Sequence, residues 1–527
     1  MRVSGAMTTR LASSRSPSRT GAKRSIRVMP FVGDAARGGR GLRTQPGCGR
    51  RYSDDASGPC ASGILLARLT VWSSGSVPAA RDEHDPVSTN PRGRRRHREP
   101  CQDTKMPAPR FGLVSDLRRP ESGERAERVT FVELFFDLVF VFALTQLSKL
   151  IADDQSVTAA LESIVLILAL WWSWVSTSWV TNWLDPERLA VRLALIGFGL
   201  LAFVAAVSVS ASFTDRALAF AVAYVVLQLI RTLFMVVATW RHDRDVALSF
   251  ARVLVWTAFA AVFWIAGALV PTDWQLAFWI CAVAIEYGGG ALGFRLPGVR
   301  TSEVESWELS GAHLSERASL FIIIAIGESL LVTGFAFVEL ETSVAAVVGM
   351  LSAFVSAVAL WWLYFHRTEA AGRRAVEAAE EEADRADGDE GRPGRRGPGR
   401  LGRIARDGYS YAHVVIVAGI VLVSVGDKEI LDRPADAVEL AGGVVILGGP
   451  VLYLLGLSLF RFVVDRAVPL APVIGLAMLA GCAVAAFLVP QLGELVLGCL
   501  CTLVLVLAAI ADTVLPDRRV TAERHQA

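Results

Sequence analysis

The sequence is poor in the residues that build metal centres and disulfide frameworks. Its 527 residues include 7 cysteines and 7 histidines, and no Cys or His pair has the spacing of a metal-ligand motif. It also lacks a G-x-x-x-x-G-K-[ST] phosphate loop, a G-x-S-x-G nucleophile elbow and an H-E-x-x-H zinc motif. These absences argue against a metalloprotein, an ATP-driven pump and the common hydrolases. We therefore predict no cofactor, no bound metal and no enzyme activity.

Charge is also scarce, except at the N-terminus. Hydrophobic residues make up 53% of the chain and the net charge is +2, a composition too apolar for a soluble protein. Residues 1–105 carry 20 Lys and Arg against 8 Asp and Glu, and their Arg, Ser, Gly and Pro content predicts a disordered extension. Met106 offers a second start, so this extension is either an over-long reading of the gene or, less favoured, a basic nucleic-acid-binding arm.

Long apolar runs fill the rest of the chain. A helix needs about 20 mainly apolar residues to cross the hydrocarbon core. Twelve segments qualify: 130–151, 158–181, 189–213, 217–240, 248–270, 274–294, 314–337, 343–366, 408–426, 437–460, 467–489 and 492–515. The sequence therefore predicts an all-α polytopic membrane bundle, with the lipid bilayer as its first partner.

Basic residues in the connections predict the orientation. The connections after even-numbered spans are rich in them and include Arg241, Arg244, Arg295, Arg300, Arg461 and Arg466. Those after odd-numbered spans carry only Lys149, Arg216, Lys428 and Arg433. By the positive-inside rule, both termini are expected on the cytoplasmic side of the membrane.

Weak internal sequence similarities suggest two six-helix halves, residues 129–312 and residues 313–366 with 407–516. ALWW stands at 169–172 in the second span and at 359–362 in the eighth, and Glu133 and Glu316 each precede a polar pair by twelve residues. An even number of helices per unit would make these parallel repeats; chance similarity of apolar segments is the alternative. A leader (106–128), a charged linker (367–406) and a tail (517–527) are expected in the cytoplasm. Within the linker, AVEAAEEEADRA is expected to prolong the eighth helix, and the Gly- and Pro-rich GDEGRPGRRGPGR is interpreted as a solvated tether.

Two carboxylates stand in the first span, which otherwise suits lipid. Residues 129–148 read VTFVELFFDLVFVFALTQLS, and Glu133 and Asp137 lie four residues apart, on one helix face. A charge at membrane depth costs about 2.5–3.5 kcal/mol on insertion scales, so such a residue is a candidate functional site. For Glu133, an interfacial or helix N-terminal role is the alternative.

The seventh span, GAHLSERASLFIIIAIGESLLVTG, carries four more ionisable residues: His313, Glu316, Arg317 and Glu328. At about 100° per residue, all but Glu316 share one stripe. Gly327 and Gly334 predict that another helix approaches closely there. Glu328 is farthest from a span end and is the strongest functional candidate, whereas for His313 an interface or packing role is favoured over that of a proton relay.

Unpaired charges are untenable in the hydrocarbon, so we expect pairs between helices. The preferred partner of Arg231, in the fourth span, is Asp137 or Glu133. Glu316 is expected to pair with Arg317 or with another helix. Such pairs would either hold the bundle together or take part in transport.

Three further positions complete the candidates. Glu286 precedes Tyr287 and three glycines, so it is expected to line a break in the sixth helix. His366 and His413 stand near span ends and are expected at the membrane interface.

Three segments resemble the bacterial low-temperature-requirement A family of integral membrane proteins. They are the first-span sequence above, the H-x-x-E-R and G-E-S elements of the seventh span, and YSYAHVVIVAGIVLVSVG at 409–426. The resemblance extends over 129–516 and implies a multi-span membrane protein associated with growth in the cold. It implies no agreed substrate.

Two hypotheses of function follow. In the first, the chain is a proton- or cation-coupled secondary transporter or permease with a site between its halves, and its partner is an unknown small solute or ion. In the second, it is a non-transporting scaffold, sensor or cold-adaptation factor. No nucleic-acid partner is expected, and a membrane-embedded enzyme is a distant third possibility.

Overall fold

The fold consists of long helices joined by short connections. A computed structural model describes residues 116–119, 128–296, 310–387, 399–489 and 491–515; the predicted extension (1–105) and tail (517–527) lie outside these ranges. The apolar runs of the described part form twelve long helices: α1 Phe131–Asp153, α2 Val157–Trp183, α3 Leu189–Ser208, α4 Ala217–Thr239, α5 Arg244–Leu269, α6 Thr272–Ala291, α7 Gly311–Glu339, α8 Val344–Leu363, α9 His413–Asp432, α10 Leu440–Asp465, α11 Leu470–Leu488 and α12 Glu494–Val514. The predicted all-α class is confirmed.

Most of these helices are suited to a lipid environment. By length and composition, 10 helices in the described residues can cross a membrane, and large apolar side chains such as Leu200, Val262 and Phe335 are exposed on the outside of the bundle. The helices outside this group are α6, which contains Glu286 and three glycines, and α9, whose last two turns contain Asp427, Lys428 and Glu429. For these two helices, a membrane-spanning position stays a prediction.

Helix α9 lies near the centre of the bundle, where it packs on α1, α7, α8, α10 and α12. Its closest neighbour is α10, because glycines let the two backbones meet. A Cβ atom on Gly419 would lie 2.5 Å from the backbone N of Tyr453, and one on Gly456 would lie 2.7 Å from that of Ile416. These glycines leave no room for a side chain.

The packing of the helices repeats with an offset of six. In the first half, α1 packs on α2 and α3, α3 on α4, α4 on α5, α5 on α6, and α6 on α2. In the second half, α7 packs on α8 and α9, α9 on α10, α10 on α11, α11 on α12, and α12 on α8. The pattern supports the predicted duplication. The two halves touch where α1 packs on α7, its counterpart.

The first part of the predicted linker prolongs the eighth helix, as expected. A π-helical turn, Tyr364–Thr368, continues α8 into a further helix, Glu369–Asp387. Ala371, Ala375 and Val376 on this further helix are buried, and Glu380 accepts a hydrogen bond from the backbone N–H of Gly311, the first residue of α7, at 2.8 Å. The amphipathic spacing of these alanines lets one face dock on the bundle while the charged face stays in water.

Candidate functional site

Helix α1 begins with a carboxylate that holds its own first turn. Glu133 accepts hydrogen bonds at 2.9 Å from both the backbone N–H and the hydroxyl of Thr130. A carboxylate is favourable at this position because the first N–H groups of a helix have no partners within the helix. The alternative interpretation of Glu133, as a helix N-terminal group, is therefore correct.

The same carboxylate also contacts three basic groups. The Nε2 of His313 lies 3.0 Å from Oε1 of Glu133, an Arg119 guanidinium nitrogen lies 3.4 Å from Oε2, and Nη1 of Arg317 lies 3.6 Å from Oε1. The Glu133, His313 and Arg317 side chains are 0% exposed. Burial lowers the pKa of Arg119, which precedes the first span, and the Glu133 charge opposes that shift.

Asp137, one turn farther along α1, pairs with Arg317 of α7. Nη2 of Arg317 lies 2.5 Å from Oδ1 of Asp137, and the indole N–H of Trp174 donates to the same oxygen at 2.7 Å. Nη1 of Arg317 donates to the Thr181 hydroxyl at 2.7 Å. The Arg317 guanidinium also lies 5.6 Å from the Trp174 ring centre, a favourable cation–π distance. We name Glu133, Asp137, His313 and Arg317, with Arg119, the charged cluster.

The preferred pairs predicted from the sequence were wrong. Arg231 does not pair with Asp137 or Glu133: its Nη1 donates to the Ser173 carbonyl at 3.2 Å and contacts the Thr177 hydroxyl at 3.4 Å. Helix α4 packs on α2, α3 and α5, so Arg231 meets α2. The arginine that contacts Asp137 on α1 is Arg317 of α7.

Glu316 does not pair with Arg317 either. Its side chain is exposed, and Oε2 accepts a hydrogen bond from the backbone N–H of Val129 at 3.3 Å. Neighbouring residues of a helix point about 100° apart, so Glu316 faces away from the buried stripe that holds Arg317.

Glu286 lies in a second buried polar group, inside the first half. The Tyr224 hydroxyl donates to Oε2 of Glu286 at 2.8 Å, and the Gln228 amide donates to that hydroxyl at 2.9 Å. Helix α6 continues past Glu286 to Ala291, so the break predicted at this residue is wrong. The three glycines lie in the last turn, and the chain leaves the helix just after them.

Glu328 lies about halfway along α7, at the contact with α1. Its side chain is half-buried, and Oε1 accepts a hydrogen bond from the hydroxyl of Thr145. Within the described residues, no Lys, Arg or His nitrogen lies within 4.0 Å of this carboxylate. The predicted close approach at Gly327 and Gly334 is wrong, because a Cβ at either position would have no neighbour within 4 Å.

An apolar layer separates Glu328 from the charged cluster. A small cavity lies in this layer and is lined by Phe140, Leu144, Ile167, Leu170, Trp171, Trp174, Phe321 and Val417. The Trp174 and Phe321 rings are in contact, with centres 4.6 Å apart. The interface of α1, α2, α7 and α9 therefore changes from charged to apolar and back to polar along its length.

Sequence reasoning missed the surroundings of His413. This residue is buried, not interfacial: its Nδ1 lies 3.0 Å from the Gly408 carbonyl and its Nε2 lies 2.9 Å from the Tyr364 hydroxyl. A carbonyl can only accept, so Nδ1 carries the proton and Nε2 of the neutral ring accepts from Tyr364. Tyr364 opens one π-helical segment and Gly408 lies in another, Ile404–Ala412, and such segments have no simple sequence signal.

Comparisons with known proteins identify a matching family model and a similar protein. The family model described as bacterial low temperature requirement A protein (LtrA) matches residues 128–509. The chain is similar to an uncharacterized protein of Rhizobium meliloti (strain 1021), with 34% identity over 389 residues, which cover 73% of this chain and 89% of that protein. No solved structure matches the chain.

Proposed function

The chain belongs to the bacterial low temperature requirement A family, and we propose that this integral membrane protein is a proton- or cation-coupled secondary transporter with Glu328 as its coupling residue. The observation that carries the proposal is the environment of Glu328, whose one hydrogen-bond partner among the described residues is the hydroxyl of Thr145. A carboxylate at membrane depth that lacks a basic partner can instead bind a proton or a cation, which supplies the missing positive charge.

The position of this carboxylate supports the proposal. Thr145 and Glu328 stand twelve residues after Glu133 and Glu316, the two positions matched between the halves. The Thr145–Glu328 contact thus joins equivalent positions of α1 and α7 where the two halves pack. In transporters built from repeats, substrate and ion sites lie near the membrane midplane at the repeat interface.

The charged cluster and the apolar layer suit two other roles. Asp137 and Arg317 neutralise each other across α1 and α7, so the cluster can hold these helices in register without binding an ion. The apolar layer around Phe321 and Trp174 closes the path between Glu328 and the cluster. Relative movement of the two halves would open this layer. An ion on the side of the charged cluster could then reach Glu328.

The orientation and partners are part of the proposal. We place the protein in the bacterial inner membrane with both termini in the cytoplasm, because the basic connections follow even-numbered helices. Its partners are then the bilayer and a small solute or ion. We propose neither an enzymatic reaction nor a nucleic-acid partner.

A non-transporting scaffold or sensor is the second candidate. It is favoured by the charged cluster, in which Glu133 contacts three basic groups and needs no further ligand. In a scaffold, Glu328 would be a polar packing residue that glutamine can replace.

Flux across inside-out membrane vesicles tests the proposal. Vesicles with and without the protein are screened against inorganic cations and small solutes, each with and without an imposed proton gradient. Uptake that requires both the protein and a gradient supports transport. Identical traces for all conditions would favour the scaffold.

A further inference from the structure

A pair of buried carboxylates lies at the opposite end of the bundle from the charged cluster. Glu429 is near the end of α9 and Glu494 is the first residue of α12, and both side chains are buried, Glu494 at 1% exposure. Backbone hydrogen bonds join the segment before α10 to the segment before α12. The Val438 N–H donates to the Leu492 carbonyl at 2.9 Å, and the Glu494 N–H donates to the Asp436 carbonyl at 3.0 Å.

Only one of the two carboxylates has a counter-charge. Arg433 lies 2.6 Å from Oε1 of Glu429, and the Gln155 amide donates to Oε2 of Glu429 at 3.0 Å. In the described part of the chain, Oε2 of Glu494 is buried without a hydrogen-bond partner, and no basic nitrogen lies within 4.0 Å of Glu494. A buried carboxylate without a partner carries a large desolvation cost.

The two carboxylates converge on one glycine. A Cβ on Gly442, in the first turn of α10, would lie 2.9 Å from Oε1 of Glu494 and 3.8 Å from Oε1 of Glu429. The missing side chain at Gly442 leaves space for both oxygens on the same side of α10.

The charges select the kind of ligand. Glu429 and Arg433 neutralise each other, so Glu494 leaves one negative charge without compensation. The described residues contain no group of three or more His, Cys, Asp and Glu side chains that could hold a metal ion, and the two carboxylates with Arg433 carry a net charge of only −1. This charge is balanced by a single monovalent cation, whose remaining ligands would be backbone oxygens or water.

The pair also connects to the Glu328 site through α1. Gln155, which contacts Glu429, lies just beyond the end of α1 at Asp153, ten residues after Thr145. Between them, the Ser148 hydroxyl lies 3.1 Å from that of Ser424. Polar side chains therefore follow the α1–α9 contact from Glu328 to this end.

We propose that Glu494 and Glu429, whose Oε1 atoms both lie beside Gly442, bind one monovalent metal cation. Binding stands on the geometry of the carboxylate pair alone. Delivery of that cation along α1 to Glu328 deepens the proposed function and rests on it.

Thermal unfolding of the purified full-length protein tests the binding. Intrinsic tryptophan fluorescence is followed in NaCl, in KCl and in N-methyl-D-glucamine chloride at equal ionic strength and neutral pH. A ligand that binds only the folded state raises Tm, so we expect a higher Tm in at least one metal salt than in the organic salt. Glu494→Gln should remove this difference. Glu439→Gln, which neutralises an exposed carboxylate near the same end, should keep it.

A second variant tests the site even where Glu494→Gln folds poorly. Gly442→Ala keeps every charge but places a methyl group against Oε1 of Glu494, so it should reduce the salt-specific difference. Equal Tm of the unaltered protein in all three salts would overturn the proposal, as would a full difference in both variants. Glu328→Gln should keep the difference, so failure of transport and failure of this site are distinguishable.

Discussion

Arg317 on α7 and Asp137 on α1 form a buried ion pair, with 2.5 Å between Nη2 and Oδ1 and no exposure of either side chain. Removal of one partner leaves an uncompensated buried charge, which costs about 3–5 kcal/mol. We therefore expect Asp137→Asn and Arg317→Gln each to lower Tm and abundance strongly. The double variant should recover much of the folded protein, as measured by fluorescence-detected size exclusion.

The exposed pair Lys428–Asp432 provides the control. Its carboxylate lies at the protein surface, where such pairs contribute about 0–1 kcal/mol, so Asp432→Asn should leave Tm nearly unchanged. A double variant of Asp137 and Arg317 that is no more stable than the worse single variant would contradict the pairing.

The contact between α9 and α10 predicts a second stability effect. Gly456→Ala forces a methyl group to within 2.7 Å of the Ile416 backbone N, and overpacking of this kind costs about 1–3 kcal/mol. Gly327→Ala, with open space at its Cβ, should be neutral or slightly stabilising because alanine favours helix more than glycine does. The difference in Tm between the two variants measures the effect; equal Tm values would mean that the two helices are not in close contact.

Orientation in the membrane is tested by reporter fusions. Fusions after Trp240 and Arg300 follow even-numbered spans and should report the cytoplasm, whereas fusions at Thr272 and Glu341 should report the outside. Agreement at both Thr272 and Arg300 would also establish that α6 crosses the membrane. Reversal at two or more sites would contradict the twelve-span topology.

The helices were predictable because their signal is local. Each apolar run is long enough to identify a helix without knowledge of its neighbours, and Glu133 and Asp137 could be assigned to one face of α1 by helical spacing alone. Even the stripe of His313, Arg317 and Glu328 follows from the helical repeat.

The partners of these residues were not predictable, because they depend on which helices meet. The sequence favoured Arg231 as the partner of Asp137 or Glu133, and only the packing of α4 on α2 and of α7 on α1 shows that Arg317 is the arginine beside Asp137. His413 shows the same limit. Its position near a span end suggested the membrane interface, but two π-helical segments place it in the interior, where it contacts the Tyr364 hydroxyl.

Glu328 is the residue on which the transport proposal depends, so its substitution is the most direct test. Gradient-driven uptake into inside-out vesicles is measured for Glu328→Gln, for Glu328→Asp and for Glu339→Gln, which alters an exposed carboxylate on the same helix. Because glutamine cannot exchange a proton or hold a cation by charge, Glu328→Gln should abolish uptake at normal protein abundance. Aspartate should retain part of the activity, and Glu339→Gln should retain all of it. Full gradient-driven uptake by Glu328→Gln would contradict the account and make Glu328 a packing residue.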